Sequence, residues 1–193
     1  MGSDDGRRWR RARLALLACA GTLLLSMTAC AATPTPAPTS ATPTTAPVFA
    51  TDEEALAAAT EAYANYLEAH DAFWADEASS EDEFLDLSSE TAREGDIASI
   101  RTWKSNGWRA VGLTTFDSIR LKSNDFVDGV QRVGTYLCLD VSSGDVIGAD
   151  GISVADPNRP MRLPLEVDFM ASRTSPVEVK ISRSEVWSGT NFC

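Results

Sequence analysis

The chain has 193 residues, with 17 Lys and Arg, 28 Asp and Glu and one His, for a net charge of −11; that length suits one ordinary domain with tails. The acidic balance argues against nucleic acid as a partner, since phosphate binding needs clustered Lys and Arg, and a single His excludes a metal site built from several imidazoles. The charge is uneven: residues 1–29 carry five Arg against Asp4 and Asp5, and the rest holds 12 basic and 26 acidic side chains, a net of −14.

Residues 1–29 read as a secretory signal. Arg7, Arg8, Arg10, Arg11 and Arg13 precede an apolar run over residues 14–29, mildly interrupted by Gly21, Thr22, Ser26 and Thr28. A charged start before a short apolar stretch is the export pattern, and the run is shorter than the roughly 20 apolar residues of a permanent span. No apolar pair follows the twin arginines at the usual offset, which argues against the twin-arginine route. The run ends in Met27-Thr28-Ala29-Cys30, which resembles a bacterial lipobox. That resemblance implies cleavage before Cys30, a diacylglycerol thioether on its sulfur, and a mature protein outside the cytoplasm, anchored to the cell membrane. Leu16-Leu17-Ala18-Cys19 fits the same pattern locally, but too little apolar chain precedes it. The alternative for Cys30 is an incidental residue of a plain signal peptide or uncleaved anchor.

Residues 30–50 read as the lipidated Cys and a disordered linker. Five Pro and six Thr in residues 31–50 cannot build a core, and extended Pro-rich chain reaches about 3.1 Å per residue. The folded domain is expected over residues 51–193. Thr51-Asp52-Glu53-Glu54 is a capping box. Leu56, Ala59, Tyr63, Tyr66, Leu67, His70, Phe73 and Trp74 then recur at helical spacing, which predicts one helix over residues 52–73. Ser80-Glu81-Asp82-Glu83 opens a short second helix carrying Phe84, Leu85 and Leu87. A third runs through Ala92, Ile97, Ile100 and Trp103 to a left-handed stop at Asn106-Gly107.

After Gly107 the period becomes two. Val111, Leu113 and Thr115, then Ile119 and Leu121, read as strand. Val133, Thr135, Leu137, Leu139 and Val141 follow. Asp150-Gly151 suits a tight hairpin between Val146-Ile147 and Ser153-Val154. Residues 156–160 form a turn. Met161, Leu163, Leu165, Val167 and Phe169 make the clearest strand, and Val177, Val179 and Ile181 begin the last, which continues towards Trp187. Helices before strands, with one apolar face per strand, predict an α+β domain: N-terminal helices packed on a curved antiparallel sheet.

Long helix, short helix, third helix and strand meander, with Tyr136-Leu137-Cys138-Leu139-Asp140 and the Trp187 to Cys193 ending, resemble the cystatin-like cone of the nuclear transport factor two-like superfamily. That superfamily includes SnoaL-like domains. The chain also looks like lipoproteins of high-G+C Gram-positive bacteria, which fits its fourteen Arg against three Lys. The resemblance implies a cone whose interior can hold a pocket, and a sheet face often used for dimerisation.

In an exported protein, where disulfides persist, Cys138 and Cys193 are expected to bond, because a meander can return the chain end to the strand of Cys138; the alternative is two free thiols. No His or Asn partner makes either a catalytic thiol. His70, beside Asp71, is read as complementing the end of the first helix, since adjacent helical residues do not face each other. Ser123-Asn124-Asp125 with Asp128-Gly129 fails the spacing of a calcium loop and reads as a solvated turn. Glu166 and Asp168 share the less apolar strand face and read as solvated carboxylates. The aromatics read chiefly as core. With no catalytic set, metal site or cofactor motif in view, the expectation is a non-enzymatic binding or interaction module of the cell envelope. Its expected partners are the membrane, through the lipid on Cys30, and another envelope protein or a wall component. The alternatives are a small-molecule pocket protein and a SnoaL-like isomerase or dehydratase.

Overall fold

A computed structural model describes residues 46–75, 80–127, 129–172 and 177–193. The signal segment, Cys19, Cys30 and Asp128 lie outside the described residues. The fold takes hold at the end of the Pro/Thr-rich stretch: Val48 N donates to Gln131 Oε1 (3.1 Å), and Phe49 packs on the core.

Helix α1 (Asp52–Ala75) starts where the capping box places it. Glu54 N donates to Thr51 Oγ1 (3.2 Å), and the Glu54 carboxylate accepts from Ala50 N (2.8 Å). Three acids in the first turn complement the helix dipole. Its buried stripe is Ala55, Ala59, Tyr63 and Leu67, one residue every four, so one narrow face meets the sheet. Small side chains in its first turns let the helix lie close. α2 (Glu81–Leu85) is capped by Ser80, whose Oγ accepts from Glu83 N. It ends before Leu87, which instead joins a short extended piece. Ile181 N donates to Leu87 O and Ser89 N to Ile181 O, and that piece covers the edge of the last strand. α3 (Glu90–Asn106) stops at Gly107, which is left-handed at φ 66°. Phe73, Phe84, Leu85 and Ile100 form a helical satellite core.

Four strands, β2 (Thr115–Val127), β3 (Val130–Asp140), β5 (Arg162–Ser172) and β6 (Glu178–Val186), form one antiparallel sheet in that order. The expected alternation puts Val133, Thr135 and Leu137 opposite Phe169, Val167 and Leu165 on the inner face. All six are buried, and all but Thr135 belong to the core cluster that includes the α1 stripe. The domain is thus α+β, with helices on a curved antiparallel sheet in a cystatin-like cone.

One strand departs from the sequence reading. Residues 111–121 do not form a single strand: β1 (Arg109–Gly112) leaves the main sheet and pairs with β4 (Gly144–Ile147) in a separate ribbon. Gly112 makes the break. Its φ is 84°, and a Cβ there would sit 2.1 Å from Ser143 O, so only glycine fits. The Asp150-Gly151 hairpin survives as an Ile147–Ser153 bridge beside this ribbon. Ser123, Asn124 and Asp125 belong to β2 rather than to a solvated turn, because they pair with Gly134, Val133 and Arg132 of β3; Asn124 is also tied to the Gln131 and Asp52 side chains.

Candidate functional site

Where β1–β4 peels away, the wide end of the cone stays open as a cavity of about 420 Å³. The second half of α1 supplies one wall through Tyr63, Tyr66, Leu67, His70 and Asp71, and Trp103 of α3 adds to it. Leu139, Leu163 and Leu165 of the sheet face them. Val111 and Val146 of the ribbon and the Arg159-Pro160 turn close the rim. The lining is mostly apolar and aromatic with a few polar groups, the usual make-up of a small-molecule site.

The polar groups are held in place. Asp71 Oδ2 accepts from Thr114 N (2.9 Å), and its Oδ1 lies 3.1 Å from His70 Nδ1. This corrects the reading of His70 and Asp71 as neighbours that do not meet. Both side chains border the same cavity. α1 also runs on to Ala75, so His70 does not sit on its last carbonyls. Its ring is stacked near Tyr66 (6.5 Å) and edge-on to Phe84 (5.8 Å). With Nδ1 protonated, the ring donates to Asp71 and leaves Nε2 as an acceptor.

Tyr66 Oη donates to Asp96 Oδ1 at 2.7 Å. Burial, and then the Asp96 carboxylate, raise its pKa well above the usual tyrosine value, so it stays a neutral donor. Burial alone raises Tyr63. At the rim, Arg159 Nη2 donates to Gly144 O (2.8 Å) and lies 3.7 Å from Asp145 Oδ1. Asp145 Oδ1 accepts from Val146 N and Ser153 Oγ. A second, more open cleft of about 620 Å³ lies along Ala64, Glu68, Leu113 and Phe116, and shares Leu67, Asp71, Gly112 and Thr114 with the first. The Asp71–Thr114 contact therefore belongs to both walls.

The other sequence candidates lie on the far face of the sheet. Glu166 is not a freely solvated carboxylate. Lys122 Nζ is 2.6 Å from its Oε1, Arg183 pairs with the same oxygen, and its side chain is 15% exposed. The reason is register: Asp168 stands opposite Arg183 and Glu166 opposite Glu185, so Arg183 bridges Glu166, Asp168 and Glu185. Hydrogen bonds from Lys122 and Arg183 hold the Glu166 carboxyl below its usual range, so it is no proton donor at neutral pH. On the same face Cys138 and Cys193 stand at disulfide distance, Cα–Cα 5.6 Å across 55 residues of chain. Trp187 and Phe192 pack on Tyr136 over the buried Cys138. Among the described residues, no group of three or more His, Cys, Asp or Glu is arranged for a metal ion, and no helix is long and apolar enough to cross a membrane.

Sequence reasoning did not bring together Asp145, Arg159, Thr114 and Tyr66. They come from four separate elements, and only the detachment of the ribbon gathers them; the turn at residues 156–160 was legible, but not its place on a cavity rim.

The geometry defines an α+β cone with an open apolar interior. No protein-family model and no curated protein matches the chain. Among solved structures, it is similar to Aln2 from a Streptomyces species, known at 1.8 Å, with 17% identity, 70% of this chain and 93% of that chain covered, and a TM-score of 0.38. A likeness at that level says nothing about function.

Proposed function

We propose that the domain is a non-enzymatic binding module of the cell envelope that holds an apolar small molecule inside the cone, tethered outside the cytoplasm through lipid on Cys30. The observation that carries the binding reading is the open cavity of about 420 Å³, within the roughly 300–1,000 Å³ of small-molecule sites. The anchoring half rests on the sequence: the Arg-rich start, the apolar run, Met27-Thr28-Ala29-Cys30 and the Pro/Thr stretch. Titration with the neutral fluorophore N-phenyl-1-naphthylamine tests the binding half. One saturable site is expected, weakened by Leu163→Trp, which places an indole at the cavity wall. No binding by a folded protein would remove the reading.

The His70–Asp71 contact beside that cavity favours a second reading, acid–base chemistry of the SnoaL-like kind, with His70 Nε2 as the base. The two readings part on ligand turnover. A module that only binds returns its natural ligand, recovered from purified protein, chemically unchanged after long incubation.

A further inference from the structure

We infer that the molecule this cavity selects is an apolar amine, a cation carried on an aryl or alkyl body. The inference rests on the reading of the cavity as a ligand site and narrows it to one class of ligand.

The lining offers both donors and acceptors. Three donors on the lining are engaged. Thr114 N–H is held by Asp71, Tyr66 Oη by Asp96, and Arg159 Nη2 by Gly144 O with Asp145 beside it. The acceptors keep capacity. A carboxylate offers about four lone-pair sites. Asp71 uses one per oxygen, for Thr114 N and His70 Nδ1. Asp145 takes its bonds from Val146 N and Ser153 Oγ on Oδ1 alone among the described residues.

Charge points the same way. The lining holds two carboxylates, Asp71 and Asp145, against one guanidinium, Arg159. The carboxylates outnumber the guanidinium, and the chain beyond residue 29 carries a formal −14. A protonated amine entering this cavity meets a favourable field, and a carboxylate meets repulsion. The walls add Tyr63, Tyr66 and Trp103, whose ring faces attract a cation held within about 6 Å. Apolar contacts with Leu67, Leu139 and Leu163 then take the body of the molecule. Specificity for a cation then comes from the acceptors and rings.

The test compares three probes of one shape on the full exported chain: 4-phenylbutylamine, 4-phenylbutan-1-ol and 4-phenylbutanoate, each displacing N-phenyl-1-naphthylamine. The amine is expected to bind about tenfold tighter than the alcohol, the factor a partly desolvated cation–π contact supplies, and the acid weakest. In Asp71→Asn and Asp145→Asn, both near-isosteric, the ratio of amine to alcohol affinity is expected to fall severalfold; Asp145→Asn can keep both contacts to Oδ1, and Asp71→Asn the one from Thr114 N. An alcohol that binds as tightly as the amine overturns the inference while leaving the cavity reading intact. So does a tightest-binding acid whose preference disappears in Arg159→Gln, and so does an amine preference that neither Asn variant changes. Failure of the naphthylamine itself to bind removes the cavity reading, and the inference with it.

Discussion

Removing the Cys138–Cys193 link is the perturbation whose magnitude follows most directly from the geometry. The two residues are 55 apart in sequence and their Cα atoms 5.6 Å apart. Closing a loop of that length removes chain entropy from the unfolded state worth about 4 kcal/mol, with measured values more often about 2–4 kcal/mol. The folded side contributes as well. Cys138 is buried, and Trp187 and Phe192 flank Tyr136 above it. Released, residues 187–193 keep the ring contacts of Trp187 and Phe192 with Tyr136, the bond from Trp187 N to Pro164 O and the Arg120 cation over Phe192. For a domain near this size each kcal/mol shifts Tm by about 2–4 °C, so reduction, or Cys193→Ser, should lower Tm by about 5–15 °C. The assay is a thermal melt by circular dichroism with and without reductant, with Cys193→Ser as the control that reductant no longer affects. Intact mass after alkylation without reductant should show no modified thiol on the exported domain. Two alkylated cysteines, or a melt that reductant leaves unmoved, would refute the reasoning.

Three further outcomes follow from named contacts. Glu166→Gln removes charge from the Lys122–Glu166–Arg183 bridge. Because the native carboxyl titrates below its ordinary value of 4.5, the unfolded chain binds the proton first as pH falls. The stabilisation is thus full above about pH 4.5 and fades below it. The Tm gap between wild type and variant should be open at about pH 7 and narrow as pH falls below about 4.5; a gap that widens in acid contradicts this. Gly112→Ala forces a Cβ to within 2.1 Å of Ser143 O at a left-handed φ, and should cost about 1–3 kcal/mol in urea unfolding while weakening naphthylamine binding, since β1–β4 must shift. Unchanged stability would count against the break at Gly112. Cys30→Ala should move the protein from the detergent phase to the aqueous phase in a partition assay, and equal partitioning would end the anchoring proposal.

The helices and the inner sheet face were legible because each carries a local signal. Capping boxes mark Thr51 and Ser80, Gly107 marks a stop, and alternation from Val133 to Val141 and from Met161 to Phe169 states which side is core. The ribbon was not legible. Apolar residues at 111, 113, 119 and 121 keep one period through Gly112, and nothing local says that the carbonyl of Ser143 will crowd that glycine. The site fared similarly. His70 and Asp71 were visible as a pair, but the rule that adjacent helical side chains diverge hid their contact, because the rule describes directions on a bare helix and not a cavity bordered by both. Glu166 was placed on the correct face, but its salt-bridge partners Lys122 and Arg183 come from strands whose register no single segment encodes.

The central claim is that the cone interior is open and takes an apolar guest. Crystals of the domain soaked in iodobenzene and measured for anomalous scattering from iodine test it most directly. An iodine peak is expected inside the cavity, between Leu67 on α1 and Leu163 on β5. A cavity closed by side chains, or iodine found only on the outer surface, would contradict it.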